Sequence, residues 1–254
     1  MNRFKYITAW TVGMVLVCAT MVTACGGGGG DSQQAASSSK SPVSVSVPAS
    51  SPTKAPAKQI IIDAEGDSTF YGTQVINGVL SRTPNNTPAL LQKMFGQSVT
   101  VENNAAGGAT LLDALNGAPP RYSLPLASRL ASASPKLVLS NFVINDSTAE
   151  SEGDFRNGLV AWISTVKGMG AVPVLEEPNP VCDGMHPNLG AYVDVLRNVA
   201  KAQNVILIQQ YDAIKSMVGW ESMLTDCVHP TDQLYEVKAR REYDVLAPIV
   251  ASLM

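Results

Sequence analysis

The sequence predicts an α/β fold, three layers α/β/α with a central, mostly parallel five-stranded sheet. Two observations carry this. Five short apolar runs alternate with segments of helical spacing, the order that strand–helix–strand crossovers produce. The runs are also close to continuously apolar instead of alternating with period two, as strands covered by helices on both faces require.

Taken in order, residues 59–64 form the first strand, interrupted by Gly66. Residues 86–95 have helical spacing, with Pro88 near the start, where a missing N–H costs nothing. Residues 98–102 are a β-branched strand, followed by the small-residue turn 103–108 and a helix from Ala109. Residues 136–142 are the third strand. An amphipathic helix follows over 155–167, stopped by Gly168 and Gly170. Residues 171–175 are the fourth strand, 189–202 a helix and 205–209 the fifth strand. The closing helix spans 231–253 and is expected to break near Pro248.

The N-terminal segment reads as an address. Arg3 and Lys5 precede an apolar stretch over residues 7–22, and Val22-Thr23-Ala24-Cys25 closes it with small residues before a cysteine. A signal peptide fits better than a transmembrane anchor, because the stretch is short and ends in a cleavage-like site. Residues 22–25 resemble the lipobox of bacterial lipoproteins. That resemblance implies cleavage after residue 24 and lipidation of Cys25; an ordinary secretory signal with an incidental cysteine is the alternative. Gly26 stands where an aspartate would signal inner-membrane retention, which favours the outer membrane. The expectation is an exported protein, lipid-anchored to the bacterial cell envelope and touching membrane through that anchor only.

Residues 25–58 are rich in Gly, Ser, Ala and Pro and nearly free of bulky apolar side chains. They cannot bury enough surface to offset their ordering entropy and read as a flexible tether. The organisation is therefore a signal peptide over 1–24, a tether over 25–58 and one folded domain over 59–254. Removing Arg3 and Lys5 with the signal moves the net charge from −3 to −5. No basic stripe with interleaved aromatics is present, so nucleic acid is not an expected partner. With Cys18 in the signal and Cys25 lipidated, Cys182 and Cys227 remain, and an oxidising compartment favours a disulfide between them over two buried thiols.

Three segments carry groups for serine-based acyl transfer: Gly66-Asp67-Ser68, Val143-Ile144-Asn145-Asp146 and Asp226-Cys227-Val228-His229. A serine hydroxyl becomes a competent nucleophile when a histidine takes its proton and a carboxylate orients that histidine. Only two histidines exist, so the choice of base is between His186 and His229. Ser68, Gly108 and Asn145 each follow a predicted strand closely, which places them along the carboxyl edge of the sheet, where such folds bind ligands.

Together with the small-residue turn ending at Gly107-Gly108, these blocks resemble the SGNH hydrolases, the GDSL-like esterase and lipase superfamily. The resemblance spans residues 59–254 and implies a flavodoxin-like α/β/α fold and ester hydrolysis without a metal or organic cofactor. It implies Ser68 as nucleophile, His229 as base and Asp226 as its orienting carboxylate. It further implies an oxyanion hole from the amides of Ser68 and Gly108 and the Asn145 side chain. Each residue also has a plainer reading: Ser68 as a helix cap, Gly108 or Gly107 as a turn glycine, Asn145 as a turn former. Asp67 and Asp146 read as loop residues that accept backbone hydrogen bonds. Val143 stands where the family usually has glycine.

Asp183-Gly184-Met185-His186 is a second D-x-x-H segment. It follows the fourth predicted strand, whereas the family's pair follows the fifth, directly before the closing helix. That position selects His229, and leaves His186 as a loop residue or a substrate contact. A Cys182–Cys227 bond would fasten the two histidine loops together. The expected substrate is a small ester or an acylated carbohydrate, with deacetylation of a cell-envelope or environmental carbohydrate the first reading. An O-acyltransferase and a non-catalytic glycan- or partner-binding lipoprotein on the same scaffold are the alternatives.

Overall fold

The structure, a computed structural model, describes residues 59–254. The expected signal peptide, Cys25 and the tether lie outside the described residues. The described chain opens with β1 (Ile60–Gly66), the single turn α1 (Ser68–Tyr71) and a hairpin of β2 (Thr73–Ile76) and β3 (Val79–Arg82). Asn77 and Gly78 at the hairpin tip both have positive φ, as a two-residue type I′ turn needs. In α2 (Thr87–Phe95), the Asn86 side chain accepts from the Ala89 amide and caps the helix. After β4 (Val99–Asn103), Thr110 and Asp113 form a capping box at the start of α3 (Leu111–Asn116).

Next come α4 (Leu126–Ala133), β5 (Leu137–Asn141), the single turn α5 (Asp146–Ala149) and α6 (Glu152–Gly168). The chain continues through β6 (Val172–Glu176), α7 (Leu189–Ala202), β7 (Ile206–Ile208), α8 (Tyr211–Lys215) and α9 (Asp232–Leu253). Strands β4-β1-β5-β6-β7 pair in that order, all parallel. Counting only these five, the order is 2-1-3-4-5, the flavodoxin-like arrangement.

Alternate residues of β5, β6 and β7 enter opposite cores, which explains their continuous apolar runs, whereas β1 and β4 feed one core. Leu137 and Leu139 of β5 join Ile60, Ile62, Leu91 and Leu246 on one face. Val138, between them, joins Leu111, Trp162 and Leu196 on the other. On its other face β1 carries two acidic residues. Asp63 and Glu65 are buried; Asp63 accepts from Asn104 Nδ2 at 3.0 Å, and Glu65 pairs with Arg129. Burial pushes their carboxyls up, to about 6 for Asp63 and about 8 for Glu65, against the counter-pull of these partners.

Three features depart from the sequence expectation. The β2–β3 hairpin and the short helices α4 and α8 are additional. The hairpin signal, Asn77-Gly78, lies between strands whose apolar residues Ile76, Val79 and Leu80 are exposed, so no core-facing pattern marks them. Finally, α9 runs unbroken through Pro248. Pro248 is exposed while Leu246 and Val250 on either side are buried. Packing on both sides of the proline holds the helix despite the lost backbone hydrogen bond.

Candidate active site

Sheet order reverses at β1, between β4 and β5, and there the carboxyl ends of β1 and β5 open the crevice that such sheets use for ligands. Gly66 ends β1 at a point of close approach. A Cβ there would lie 2.8 Å from both the Asn141 carbonyl oxygen and Phe70 Cβ, so only glycine lets β1 pass this near to β5. Buried Asp67 then caps α1, its Oδ1 accepting from the Thr69 amide at 2.8 Å and the Thr69 hydroxyl at 2.7 Å. Asn141 adds to this frame: its carbonyl accepts from the Asp67 amide, and its Oδ1 lies 3.2 Å from the Thr69 hydroxyl oxygen. Ser68 is thereby fixed at the first position of α1. Because α1 has only one turn, its dipole adds little charge beyond the local amides.

Ser68 Oγ lies 2.9 Å from His229 Nε2, and His229 Nδ1 lies 2.7 Å from Asp226 Oδ2. The loop that holds this histidine is built around one carboxylate. Asp226 Oδ1 also accepts from the amides of Val228 at 3.1 Å and His229 at 2.8 Å. The loop's ends are closed by a hydrogen bond from the Thr225 amide to the His229 carbonyl, and Thr231 caps α9 immediately after. Burial raises the Asp226 carboxyl, but the hydrogen bonds from His229 and Val228 and the His229 charge outweigh it and leave it below the usual range. An ionised carboxylate accepts only, so it draws the Nδ1 proton of the neutral imidazole and leaves a lone pair on Nε2 toward Ser68.

Ser68, Gly108 and Asn145 line one cavity, of about 500 Å³, together with His186 and His229. The amides of Ser68 and Gly108 have no hydrogen-bond partner among the described residues. Gly108 has φ +70°, and a Cβ there would press on Arg121 Nη2 at 3.3 Å; both favour glycine. Asn145 Nδ2 donates to the Ala109 carbonyl at 3.0 Å, which orients the amide and leaves its second hydrogen for another acceptor. Under these loops, buried Asp146 accepts from the Leu111 amide at 2.7 Å and the Val143 amide at 3.0 Å. It ties the β4–α3 loop to the β5–α5 loop. Burial raises its carboxyl to about 7, with the Leu111 bond pulling the other way.

Val143, at the position where glycine was the expected residue, has φ +139°. A β-branched residue is strained there, at a cost of about 1–3 kcal/mol. Its buried side chain packs in the core beside Phe142 and Ile144, and the Asp146 bond holds its amide, so burial and hydrogen bonding offset the strain.

His186 lines the cavity but is not paired with Ser68. Its Nδ1 lies 2.9 Å from Asp183 Oδ2. The disulfide between Cys182 and Cys227 joins the His186 loop to the His229 loop. Two hydrogen bonds reinforce the junction, from the Cys182 amide to the Cys227 carbonyl at 2.8 Å and from Asn179 Nδ2 to the Val228 carbonyl at 3.0 Å. No cluster of His, Cys, Asp and Glu suited to a metal ion occurs among the described residues. Cys25, the expected lipidation site, is outside them.

Sequence reasoning missed Thr73 and Leu80, which reach the cavity from the β2–β3 hairpin. It also missed the Gln74, Thr83 and Asn85 side chains that bind Asp232 and anchor that hairpin to α9. The Asn77-Gly78 turn was the one available signal.

Residues 64–237 match the GDSL-like Lipase/Acylhydrolase family model. No curated protein sequence matches the chain. Similar solved structures include the lipase/acylhydrolase from Enterococcus faecalis, at 20% identity and TM-score 0.59, covering 74% of this chain and 95% of that one. The carbohydrate acetylesterase Est24 from Sinorhizobium meliloti has 15% identity and TM-score 0.57, covering 77% and 100%. The aryl esterase of M. smegmatis has 18% identity and TM-score 0.57, covering 77% and 100%. These three are likenesses of fold, whereas the family model spans more than half of the sequence and contains Ser68, Gly108, Asn145 and His229. On that match, the chain belongs to the GDSL-like lipase/acylhydrolase family.

Proposed function

We propose that the protein is a serine ester hydrolase that works by two-step acyl transfer. The observation that carries this is the continuous hydrogen-bonded line from Ser68 Oγ through His229 to Asp226, at 2.9 and 2.7 Å, beside unpaired amides. His229 Nε2 takes the Ser68 proton as Oγ attacks the ester carbonyl carbon. Asp226 holds the ring and stabilises the imidazolium. The amides of Ser68 and Gly108 and the free Asn145 hydrogen receive the oxyanion; each such donor is worth about 3 kcal/mol of barrier. His229 then gives its proton to the departing alcohol. Water attacks the acyl-serine, loses a proton to His229, and collapse of the second tetrahedral intermediate releases the acid and restores Ser68.

The substrate part of the proposal is an acylated carbohydrate of the cell envelope or surroundings, with acetyl the acyl group. It draws support from the acetylesterase among the similar folds and from the export signal read in the sequence. Anchoring through Cys25 belongs to the same proposal. Its basis is Arg3, Lys5, the apolar stretch and Val22-Thr23-Ala24-Cys25.

Hydrolysis of p-nitrophenyl acetate by the full chain tests the chemistry. The parent should turn over, and Ser68→Ala should lose roughly 10⁴-fold or more of kcat. A folded Ser68→Ala variant that keeps parental kcat would end the proposal.

A further inference from the structure

At the cavity wall, His186 belongs to a second imidazole–carboxylate pair that the acyl-transfer chemistry does not use. His186 Nδ1 lies within 2.9 and 3.1 Å of the two Asp183 oxygens, and both side chains are largely buried, 13% exposed each. Asp183 Oδ1 also accepts from the Met185 amide at 3.0 Å, so the carboxylate is fixed by the loop it orients. The Cys182–Cys227 bond, adjacent to Asp183 and to Asp226, holds this pair against the Asp226–His229 pair. His186 Nε2 has no hydrogen-bond partner among the described residues. A pre-oriented ring with one nitrogen committed to a carboxylate and the other free, lining the cavity that contains Ser68, is a positioned acceptor.

Its acceptor character decides the ligand. With its one hydrogen on Nδ1, drawn to Asp183, the ring offers a lone pair at Nε2 and takes an O–H or N–H from the substrate. An acetyl group brings none. A simple alkyl or aryl alcohol brings none either, once its one oxygen is esterified. A polyhydroxylated alcohol does, because hydroxyls beside the ester oxygen remain free. We infer that His186, oriented by Asp183, binds a free hydroxyl of the alcohol part and selects esters of polyols over esters of simple alcohols. This rests on the ester-hydrolase reading above and deepens it. His186 is a specificity residue, and Asp183 positions it.

A minimal pair of substrates isolates the effect. Ethyl acetate and 2-hydroxyethyl acetate share the acyl group and differ by the one added hydroxyl. The full chain, with His186→Ala, His186→Gln and Asp183→Asn beside it, is assayed for kcat and KM on both. The parent should prefer the hydroxyethyl ester, and His186→Ala should lower the ratio of the two kcat/KM values roughly tenfold, the effect of one hydrogen bond. The loss should fall mainly in KM. Gln, whose carbonyl can accept, should restore part of the ratio even if Ala perturbs the loop, and Asp183→Asn should lower the ratio by less than Ala. A ratio unchanged within twofold in His186→Ala and His186→Gln, whether both rates fall or neither does, overturns the inference. The two readings fail separately. A Ser68→Ala variant that abolishes turnover while the ratio ignores His186 sinks only this inference. A parent inactive on both esters and on p-nitrophenyl acetate sinks the hydrolase reading, and this inference with it.

Discussion

The loops at 183–187 and 226–230 are near copies of each other: Asp-Gly-Met-His-Pro and Asp-Cys-Val-His-Pro. In each, the aspartate accepts from a loop amide and from the Nδ1 side of a histidine three residues on. In each, a helix follows the proline, α7 in one case and α9 in the other. Yet only His229 reaches Ser68. Local sequence thus builds an oriented imidazole twice, and topology decides what it is aimed at. The His186 loop leaves β6; the His229 loop arrives after β7, at the head of the helix that packs on the β1 face. A D-x-x-H motif specifies a tautomer and an orientation. The element behind it specifies a target.

Exchanging the roles of the loops by mutation is the strongest challenge to this comparison. His229→Ala is expected to lose roughly 10⁴-fold or more of kcat on p-nitrophenyl acetate, with folding checked by circular dichroism. A loss of that size in His186→Ala, with His229→Ala retaining turnover, would reverse the assignment of the two loops.

A smaller effect sharpens how the loops depend on one another. The disulfide closes a separation of 45 residues and ties the residue before Asp183 to the residue after Asp226. Replacing both Cys182 and Cys227 with serine should reduce stability by about 2–4 kcal/mol, read from denaturant unfolding with the parent as reference. Equal midpoints for parent and double variant would show that the backbone hydrogen bonds at the junction suffice.

The smallest expected effect lies beneath the loops. Glu176 at the end of β6 and Glu242 and Lys238 of α9 are all fully buried, with Lys238 Nζ 3.8 Å from Glu176 Oε1. This cluster joins the strand that feeds one histidine loop to the helix that follows the other. One ammonium cannot balance two carboxylates out of water. Burial raises both carboxyls, Glu242 furthest because the Glu176 charge adds to it. The raised groups keep protons that the unfolded chain releases above the ordinary glutamate pKa. Their contribution to stability is therefore full at acid pH and falls as pH rises from that value toward the folded one. Glu242→Gln removes the titration. Its melting temperature should gain on the parent's as pH rises, by about 2–4 °C for each kcal/mol recovered. A constant difference between pH 4 and 9 would contradict the raised carboxyl.

Much of this architecture was legible beforehand, for identifiable reasons. Strands β5, β6 and β7 were readable because each feeds both cores, as Leu137, Val138 and Leu139 do, which leaves a continuous apolar run; β1 and β4 feed one core and were readable from their β-branched residues. His229 was selected over His186 by its place before the closing helix, and the structure brings that residue to Ser68. The cysteine pair followed from elimination. What escaped was set by tertiary context. The β2–β3 hairpin exposes its apolar residues, so no pattern distinguishes it from a loop. Pro248 breaks a helix by local rules, but Leu246 and Val250 pack on both sides of it. The burial of Asp63 and Glu65 is explained only by Asn104 and Arg129, which are distant in sequence.

The contact between Ser68 and His229 spans 161 residues of sequence. That contact depends on the pairing of β1 with β4 and β5 and on the packing of α9 against the same core, which together bear its closure entropy. The nucleophile therefore meets its base only where the sheet and the closing helix are both in place, and a chain still exposing its strands carries no activated serine.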